Sequence, residues 1–392
     1  MRTFGLQCRN DTMKIEQICW SGAKQAWETP PRWSLGPAAQ LVLLFGSRTL
    51  LNQKSPLQEL RQGYPRARFL GCSTAGEICE KTVGDDTLVA TAVQLEHAHI
   101  AGASVQIGDF PDSFQAAQKL AAALDVHDLV HVLVLSDGLK VNGSELVKGL
   151  TQALPSTVAV TGGLAGDGAA FGETWVLWDR EMKSGMVAAV GFYGSRLRIG
   201  HGTLAGWDPF GINRQITKSR GNVLYELDGK SALALYKKYL GEHAAGLPAT
   251  GMLFPLELRS KEGQRGLIRT ILAVNEADQS MTFAGDIPEG SYARFMKANF
   301  DRLIDGAAGA AKTCQKTAGA PPPDLAVLIS CIGRKMALGQ RTEEEIEGVA
   351  EVLGPAAVLA GFYSYGEICP FEPTARCELH YQTMTITTFR EE

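Results

Sequence analysis

A loop near the carboxyl end of the chain combines residues that can bind a small molecule. Residues 359–371 read LAGFYSYGEICPF, in which Tyr363 and Tyr365 can stack on a ligand or donate hydrogen bonds, and Glu367 can accept them. The surroundings of this carboxylate are too apolar for an ordinary surface loop. The pattern therefore predicts contact with a ligand or a partner. A structural interpretation is equally favoured, in which Glu367 accepts hydrogen bonds from backbone donors of a neighbouring repeat.

The same spacing recurs near the other end of the chain. Residues 69–78 read FLGCSTAGEI, which contains Ser73 and places Glu77 where the later loop has Glu367. Two similar loops at opposite ends of one chain indicate duplication. Arg334, after a predicted strand end, could pair with Glu367 or hold a ligand carboxylate. We predict that the loops converge on one recess that is large enough for a ligand.

Nucleophilic catalysis is the other chemistry that the residue types allow. Ser73, Ser136, Ser330 and Cys331 are candidate nucleophiles, but none lies in a G-x-S-x-G turn and no His/Asp arrangement follows from the spacing. The glycine-rich loop 162–168 follows a predicted strand, yet it lacks the Lys-Ser/Thr ending of a phosphate-binding loop and is interpreted as a tight turn. A hydrolase-like enzyme is therefore a minor alternative to a binding protein.

Length and composition limit the class of protein. The 392 residues exceed what one hydrophobic core usually organises, and a net charge of −4 without a long Lys/Arg run argues against nucleic acid as a partner. No segment is apolar and long enough to cross a bilayer, and no signal-peptide pattern begins the chain, so a cytoplasmic protein without membrane insertion is expected. The eight cysteines include no Cys-x-x-Cys pair, and most are expected to be reduced and buried.

The elements that position these loops repeat three times. Strand, helix and second strand are predicted within 41–70, 129–160 and 325–359, and each second strand leads into a glycine-rich loop. Antiparallel strands follow each loop. The continuous apolar strands are typical of sheets that are covered on both faces. The predicted fold class is α/β, with mixed sheets built from repeated βαβ-like units and antiparallel hairpins.

A different pattern separates the second unit from the third. A Gly/Trp/Pro-rich loop after residue 198 leads to a strand, a turn and an amphipathic helix, and a hairpin and a further helix follow. The segment 318–324, with three prolines, is the clearest linker. A boundary near Asn222 fits best and gives an amino-terminal extension, 1–38, followed by two halves, 39–222 and 223–392.

Taken together, the motifs resemble the FIST family. The resemblance rests on segments that reach across nearly the whole chain, namely GCSTAGEI (71–78), GGLAGD (162–167), LYELD (224–228), SCIGR (330–334) and GFYSYGEI (361–368). It implies a FIST N-terminal domain followed by a FIST C-terminal domain in an intracellular signal-transduction protein that is not an enzyme.

Within that family, two FIST halves without fused kinase or cyclase modules look like the bacterial haem proteins that sense nitric oxide. This resemblance implies b-type haem as the cofactor, nitric oxide as the ligand and a sensor histidine kinase as the regulated partner. Other FIST proteins are thought to sense small ligands such as amino acids. In that alternative there is no haem, and the ligand lies between Glu367, Tyr363, Tyr365 and Arg334. The oligomeric state, a homo-oligomer included, is left open.

Haem iron needs an imidazole or thiolate ligand and an apolar slot. His201 lies in GHGTLAGWDPF, where glycines allow close backbone approach and Trp207 and Phe210 could flank a porphyrin. His380 lies on a predicted strand just after the Tyr/Glu loop, and Cys369 precedes a proline as in Cys-Pro haem-regulatory motifs. We predict His201 or His380 as the iron ligand, with His201 ahead. A hydrogen-bonded structural histidine is the alternative for both.

Overall fold

The structure is a computed structural model that describes residues 13–259, 266–319, 322–371 and 376–392. In these ranges, no helix combines the length and the apolar character needed to cross a membrane. The α-helices of this part of the chain are α1 (Arg48–Leu51), α2 (Lys54–Gly63), α3 (Ser113–Ala122), α4 (Gly143–Ala153), α5 (Ala232–Leu240), α6 (Phe300–Ala318), α7 (Ile332–Leu338) and α8 (Thr342–Leu353).

The strands form four sheets. Those of the amino-terminal part are β1 (Lys14–Ser21), β2 (Ala26–Trp27), β3 (Leu41–Gly46), β4 (Arg68–Ser73), β5 (Glu77–Cys79), β6 (Thr82–Gly84), β7 (Thr87–Gln94), β8 (His99–Gln106), β9 (Leu129–Ser136), β10 (Ala159–Leu164), β11 (Val176–Trp178), β12 (Glu181–Lys183), β13 (Met186–Tyr193) and β14 (Leu197–Leu204). Those that follow are β15 (Asp208–Arg220), β16 (Val223–Leu227), β17 (Lys230–Ser231), β18 (Leu256–Arg259), β19 (Ile268–Arg269), β20 (Ile271–Asn275), β21 (Ser280–Phe283), β22 (Tyr292–Lys297), β23 (Leu325–Cys331), β24 (Val358–Ser364), β25 (Gly366–Pro370), β26 (Cys377–His380) and β27 (Met384–Glu391).

Each predicted repeat forms a parallel strand pair with an antiparallel neighbour. β3 pairs with β4, β9 with β10 and β23 with β24, all parallel. β7, β13 and β27 return antiparallel to the first strand of each pair. Every residue of β3 and of β23 is buried, which explains their continuous apolar sequences. The predicted α/β class with mixed sheets is confirmed. We call residues 41–94, 129–193 and 325–391 units one, two and three, and together the three-unit core.

Each unit lends a short strand to the sheet of another unit. β5 of unit one pairs with β24 of unit three, β11 of unit two with β4 of unit one, and β25 of unit three with β10 of unit two. The resulting sheets have the orders β12-β11-β4-β3-β7-β1-β2, β26-β25-β10-β9-β13-β8 and β14-β27-β23-β24-β5-β6. This cyclic exchange closes the units around a pseudo-threefold centre. One apolar cluster fills that centre with residues of all three first strands, among them Phe45, Leu133 and Ile329.

The glycine-rich loops meet where the strands cross. We define tip loops one, two and three as residues 74–77, 165–168 and 364–367. At equivalent positions, the N–H of Ala75 donates to the carbonyl of Tyr363, that of Gly166 to Ser73, and that of Tyr365 to Leu164, at 2.8, 2.9 and 3.1 Å. Each tip loop is thus bonded to the strand end of another unit, so the loops meet as predicted. They do not share one recess, because Tyr365 is the one residue of the three tip loops that lines the cavity described below.

A glycine precedes each tip loop at the same place in the strand. At Gly71, Gly162 and Gly361, a Cβ atom would overlap a carbonyl oxygen of the parallel neighbouring strand. The backbones approach so closely there that only a residue without a side chain fits. The glycines therefore fix the bend from which each chain crosses to the next sheet.

The fourth sheet lies between units two and three in the sequence. It has the order β19-β18-β22-β15-β16-β21-β20, with β17 on β16, and we call residues 208–297 the inserted sheet. α5 packs on it, and Tyr236, Phe283 and Phe295 are buried in its separate core. The predicted boundary near Asn222 falls in the turn between β15 and β16. The division into 1–38, 39–222 and 223–392 stays a prediction.

Two cysteines are paired in a way that their spacing did not indicate. Cys19 of β1 and Cys79 of β5 form a disulfide across 60 positions of sequence. They meet because β5 leaves unit one for another sheet and passes beside β1, which only the strand exchange brings about. The prediction that most cysteines are reduced agrees with the free cysteines of the described ranges, Cys72, Cys314, Cys331, Cys369 and Cys377. Cys8 lies outside those ranges.

Candidate functional site

A cavity of about 600 Å³ lies where the three-unit core meets the inserted sheet. Ligand sites commonly measure roughly 300–1,000 Å³. Residues from both bodies line it: 138–144, Leu164, Phe171, 331–333, Tyr365, Tyr381 and Gln382 from the core, and 221–222, Met252, Thr270, Leu272 and 283–286 from the inserted sheet with its connecting loops. The cavity is therefore built at a junction, and neither body forms it alone.

Two stacked aromatic rings form one wall of the cavity. The rings of Phe171 and Tyr365 are 4.6 Å apart between centroids and nearly parallel. The hydroxyl of Tyr365 donates to the carbonyl of Gly168 at 2.9 Å and to the carboxylate of Asp167. Phe171 remains 38% exposed. This wall offers a face on which a planar or apolar group can pack, while the hydroxyl is already bonded to tip loop two.

Gln382 connects the core to the inserted sheet. Its side chain is fully buried, and its amide Nε2 donates to the carbonyl of Met252 at 3.1 Å and to Oγ1 of Thr270 at 3.0 Å. The indole of Trp207 donates to its carbonyl at 2.9 Å. The amide Oε1 has no hydrogen-bond partner among the described residues. A left-handed backbone at this residue, with φ of 63°, turns the side chain toward the junction.

Glu367 is the last residue of tip loop three, and its side chain does not border the cavity. Its Oε1 accepts from Oγ of Ser364 at 2.7 Å, and its Oε2 accepts from the N–H and the hydroxyl of Thr383 at 3.1 and 2.8 Å. Burial raises the pKa of Glu367 to about 8, and these donors only partly offset the cost of burying the charge. The carboxylate ties the crossing strand β25 to the start of β27.

Glu77 makes the equivalent bonds beneath tip loop one. Its carboxylate accepts from the hydroxyl of Thr74, and from the N–H and hydroxyl of Thr87 at 3.1 and 2.6 Å. Burial raises its pKa to about 7. Ser73, the neighbouring predicted ligand residue, is fully buried, and its Oγ accepts from the N–H of Trp175 at 2.9 Å. Both glutamates thus have structural contacts, but the predicted backbone donors of a neighbouring repeat are not the partners, because Thr74 and Thr87 belong to unit one and Ser364 and Thr383 to unit three.

Arg334 and Tyr363 are bonded to a residue that the sequence did not single out. Arg334 is fully buried and forms an ion pair with Glu345, whose Oε2 lies 2.7 Å from Nη2. The hydroxyls of Tyr363 and Ser330 donate to Oε1 of the same carboxylate at 2.6 and 3.0 Å. The predicted pairing of Arg334 with Glu367 is replaced by this cluster, because α8 brings Glu345 beneath the end of β23. Tyr365 is the one member of the predicted ligand set that borders the cavity.

The predicted iron ligands lie apart from the cavity. His201 on β14 is 7% exposed, and its backbone N–H donates to the hydroxyl of Thr317 at 3.0 Å. His380 is buried, with Nε2 2.9 Å from the carbonyl oxygen of Cys369, and burial lowers its pKa to about 4. Cys369 is fully buried, and burial raises the pKa of its thiol. Among the described residues, no three His, Cys, Asp or Glu side chains are grouped to hold a metal ion.

The aromatic residues that were predicted to flank a porphyrin face different cores. Trp207 packs in the cluster that contains Met296 and Leu303. Phe210 packs against Phe295, with ring centroids 5.9 Å apart, inside the core of the inserted sheet. Haem binding, with His201 or His380 as the iron ligand, stays a prediction.

Several cavity residues were not predicted from the sequence. Tyr381 and Gln382 follow His380 directly, but the turn that directs them to the junction had no distinct signal. The segment 138–144 follows the end of β9. Ligands often bind beyond the carboxyl ends of parallel strands, so this position in the sequence could have indicated the segment. The residues 270–286 belong to a hairpin whose packing on the core is a tertiary feature.

Ligand pockets occur preferentially where two packed bodies meet, which is the position of this cavity. The family model described as the FIST N domain matches residues 40–230, and the FIST C domain matches residues 232–370. The chain therefore belongs to the FIST family, whose domains are sensory domains of signal transduction.

Two further proteins are similar to this chain. A protein of Methanocaldococcus jannaschii, described as uncharacterized, is 22% identical over 305 residues, which cover 69% of this chain and 56% of that protein. The chain thus spans little more than half the length of this relative. A crystal structure of cyanuric acid hydrolase from A. caulinodans covers 96% of this chain and 98% of its own, at 9% identity and a TM-score of 0.36. That likeness is too low to support any conclusion about fold or activity.

Proposed function

We propose that this chain is a cytoplasmic sensory protein that binds a small organic ligand in the 600 Å³ cavity. The observation that carries the proposal is the position of the cavity between the three-unit core and the inserted sheet. A ligand that contacts both bodies stabilises the arrangement in which the core and the inserted sheet touch it together. Binding therefore increases the population of that arrangement. A partner that contacts both bodies can then respond to the ligand.

The lining favours a compact molecule with one apolar or planar part and at least one hydrogen-bond donor. Phe171 and Tyr365 supply a stacking face, and Leu272 and Phe283 add apolar surface. Gln382 supplies an amide whose oxygen has no partner among the described residues. An amino acid with an apolar side chain fits these features. Its contacts would differ from the predicted ones, because Glu367 and Arg334 are bonded within the protein.

Thermal shift against a panel of metabolites that includes the amino acids tests this proposal. One or more compounds should raise the melting temperature, since a ligand that binds only the folded state stabilises it. Leu139, which borders the cavity and is 41% exposed, can be changed to Trp to occupy the space. Leu139→Trp should abolish the shift, whereas Val126→Trp, at a 53% exposed position outside the lining, should keep it.

The two variants together decide whether the ligand occupies the cavity. If no compound stabilises the protein, the proposal fails. If a compound binds Leu139→Trp and Val126→Trp equally well, the ligand lies elsewhere in the chain. Calorimetric titration of the same two variants provides the affinities.

Haem b, nitric oxide and a sensor histidine kinase form a finer proposal that rests on the family resemblance. The test is an absorption spectrum after reconstitution with haem, recorded for the unsubstituted protein and for His201→Ala, His380→Ala and Cys369→Ala. Haem ligation by one of these residues should give a Soret band that its alanine variant changes, with circular dichroism as the control for folding. A sample without a Soret band would remove the haem proposal and leave the organic ligand.

A further inference from the structure

A second pocket, of about 280 Å³, lies beside the larger cavity. One side of α4, the end of β19 and residues 376–379 line it. Ser144, in the first turn of α4, borders both spaces, so the two are neighbours. Neither the motifs nor the family resemblance draws attention to this pocket.

Arg269 is the buried cation of this pocket. The residue is 5% exposed. Its Nε donates to the carbonyl of Asp286 at 3.1 Å, and its Nη1 donates to the carbonyl of Ile268 at 3.3 Å. The guanidinium lies over the ring of Tyr381, 5.7 Å from the centroid. All of these partners are uncharged.

No carboxylate oxygen of the described residues lies within 4.0 Å of the Arg269 nitrogens. Arg334 shows the contrast, since it is also buried but has Glu345 2.7 Å from its Nη2. Arginine stays charged even when buried, and a buried charge without a counter-ion destabilises the folded state. Burial accordingly lowers the pKa of Arg269, and the more distant charges of Asp286 and Glu378 only partly oppose this effect.

The remaining donors of Arg269 are suited to an anion. A guanidinium has five N–H donors in a planar fork, and the two contacts to carbonyls leave donors for a bidentate bond to a carboxylate or phosphate. Two exposed cations, Lys148 and Arg376, stand at the rim of the same pocket, and one carboxylate, Glu378, opposes them.

We propose that the 280 Å³ pocket is a binding site for the carboxylate or phosphate group of a small molecule, with Arg269 as its principal contact. The anion supplies the counter-charge that the protein itself does not place beside Arg269. The proposal does not depend on a ligand in the larger cavity. Because the two spaces adjoin, the same site can also hold an anionic group of a molecule that extends into that cavity.

Titration with inorganic phosphate, and separately with sodium succinate, tests the proposal on the full chain. Ionic strength is held constant with NaCl, so that general screening does not mimic binding. At least one anion should bind saturably in calorimetry. Arg269→Met should weaken that binding by about tenfold or more, and Glu378→Gln should strengthen it because it removes the opposing charge. Lys183→Met, an exposed cation remote from the lining, should leave it unchanged.

A second measurement separates a binding role from a structural one. In buffer without polyvalent anions, Arg269→Met should melt at the same temperature as the unsubstituted protein or above it, since it removes an uncompensated charge. If that variant fails to fold, the internal contacts of Arg269 are essential and the proposal is overturned. Absence of saturable binding by either anion, or equal affinity in Arg269→Met, also overturns it. Lys148→Met, at the exposed rim, should weaken binding a few-fold.

Discussion

Tip loops one and three have the same internal bonds but different surroundings. In each, a buried glutamate accepts from a hydroxyl three positions earlier and from the N–H and hydroxyl of a threonine at the start of the returning strand (Thr87) or directly before it (Thr383). Over loop one, the Nζ of Lys335 donates to the carbonyl of Ala75 at 2.9 Å and lies against Gly76. Over loop three, Tyr365 faces the 600 Å³ cavity. One repeat is covered by a lysine and the other opens on a ligand-sized space.

The difference shows that the repeat builds the crossing of strands, and that the inserted sheet decides which crossing borders a site. Tip loop two supports this interpretation. It has Gly168 where the others have glutamate, yet it makes the same crossing, with the N–H of Gly166 donating to the carbonyl of Ser73 at 2.9 Å. The crossing of strands is thus common to all three units, whereas the buried glutamate belongs to loops one and three.

The largest difference in stability is expected between variants of two neighbouring cations on α7. Arg334→Met leaves Glu345 buried without its partner and should lower the free energy of unfolding by roughly 3–5 kcal/mol. Lys335→Met removes a pair with Asp85, whose side chain is 78% exposed, and should cost no more than about 1 kcal/mol. Urea denaturation of both variants measures the difference. Equal losses would contradict a stabilising role for the buried ion pair between Arg334 and Glu345.

The next effect concerns pH. The pKa of Glu367 is raised from 4.5 to about 8, so the folded state holds its proton more tightly than the unfolded chain. The stability that this proton confers is complete below about pH 4.5 and is lost as the pH rises through about 8. Relative to Glu367→Gln, the unsubstituted protein should therefore lose roughly 3–5 kcal/mol over that interval. In the variant, the glutamine oxygen can accept from Thr383 while its NH₂ group donates to Ser364.

Glu77→Gln sharpens the comparison between the two loops. With a pKa of about 7, Glu77 should give a smaller loss that ends nearer pH 7. Urea unfolding at a series of pH values measures both slopes. If neither variant changes the pH dependence, the two carboxylates are not the groups that titrate in this range.

Intermediate effects are expected at the glycines before the loops. Gly71→Ala and Gly361→Ala should each cost roughly 1–3 kcal/mol, because the new Cβ overlaps a carbonyl oxygen of the adjacent strand. Gly348→Ala in α8 is the matched control, since the nearest atom to its Cβ would be 3.6 Å away. Better helix propensity should leave that variant unchanged or stabilise it by about 0.5–1 kcal/mol. Denaturant midpoints compare the three, and a tolerated Gly361→Ala would argue against the close strand approach.

The smallest effect is expected at the cavity wall. Tyr365→Phe loses the hydroxyl bonds to Gly168 and Asp167 but keeps the ring that stacks on Phe171, so it should cost about 1 kcal/mol of stability. Ligand affinity should change little if stacking dominates. Tyr363→Phe, which removes the shorter of the two hydroxyl bonds to Oε1 of the buried Glu345 and leaves that of Ser330, should cost more because the acceptor is a carboxylate. Thermal denaturation ranks the two variants. A reversed order would mean that the hydroxyl of Tyr365 contributes more to stability than that of Tyr363.

The sequence predicted the repeats better than the site. Continuous apolar runs identified the parallel pairs, and the match of Glu77 with Glu367 predicted related loops that the structure brings together. The partner of Arg334 could not be predicted, because Glu345 is one of several glutamates on α8 and only helix packing selects it. Gln382 could not be singled out either, since its role depends on contacts with Met252 and Thr270 from the inserted sheet.

The sequence by itself determined three strand pairs, the glycines that bend them and the family to which the chain belongs, because apolar runs and glycine positions act over a few residues. Only the tertiary structure decided that the cavity lies at the junction with the inserted sheet and that Arg269 is buried without a carboxylate beside it. Those features depend on the distance between side chains from remote segments. The packing of the inserted sheet against the core sets that distance, as in the bonds from Gln382 to Met252 and Thr270, and no local sequence pattern predicts it.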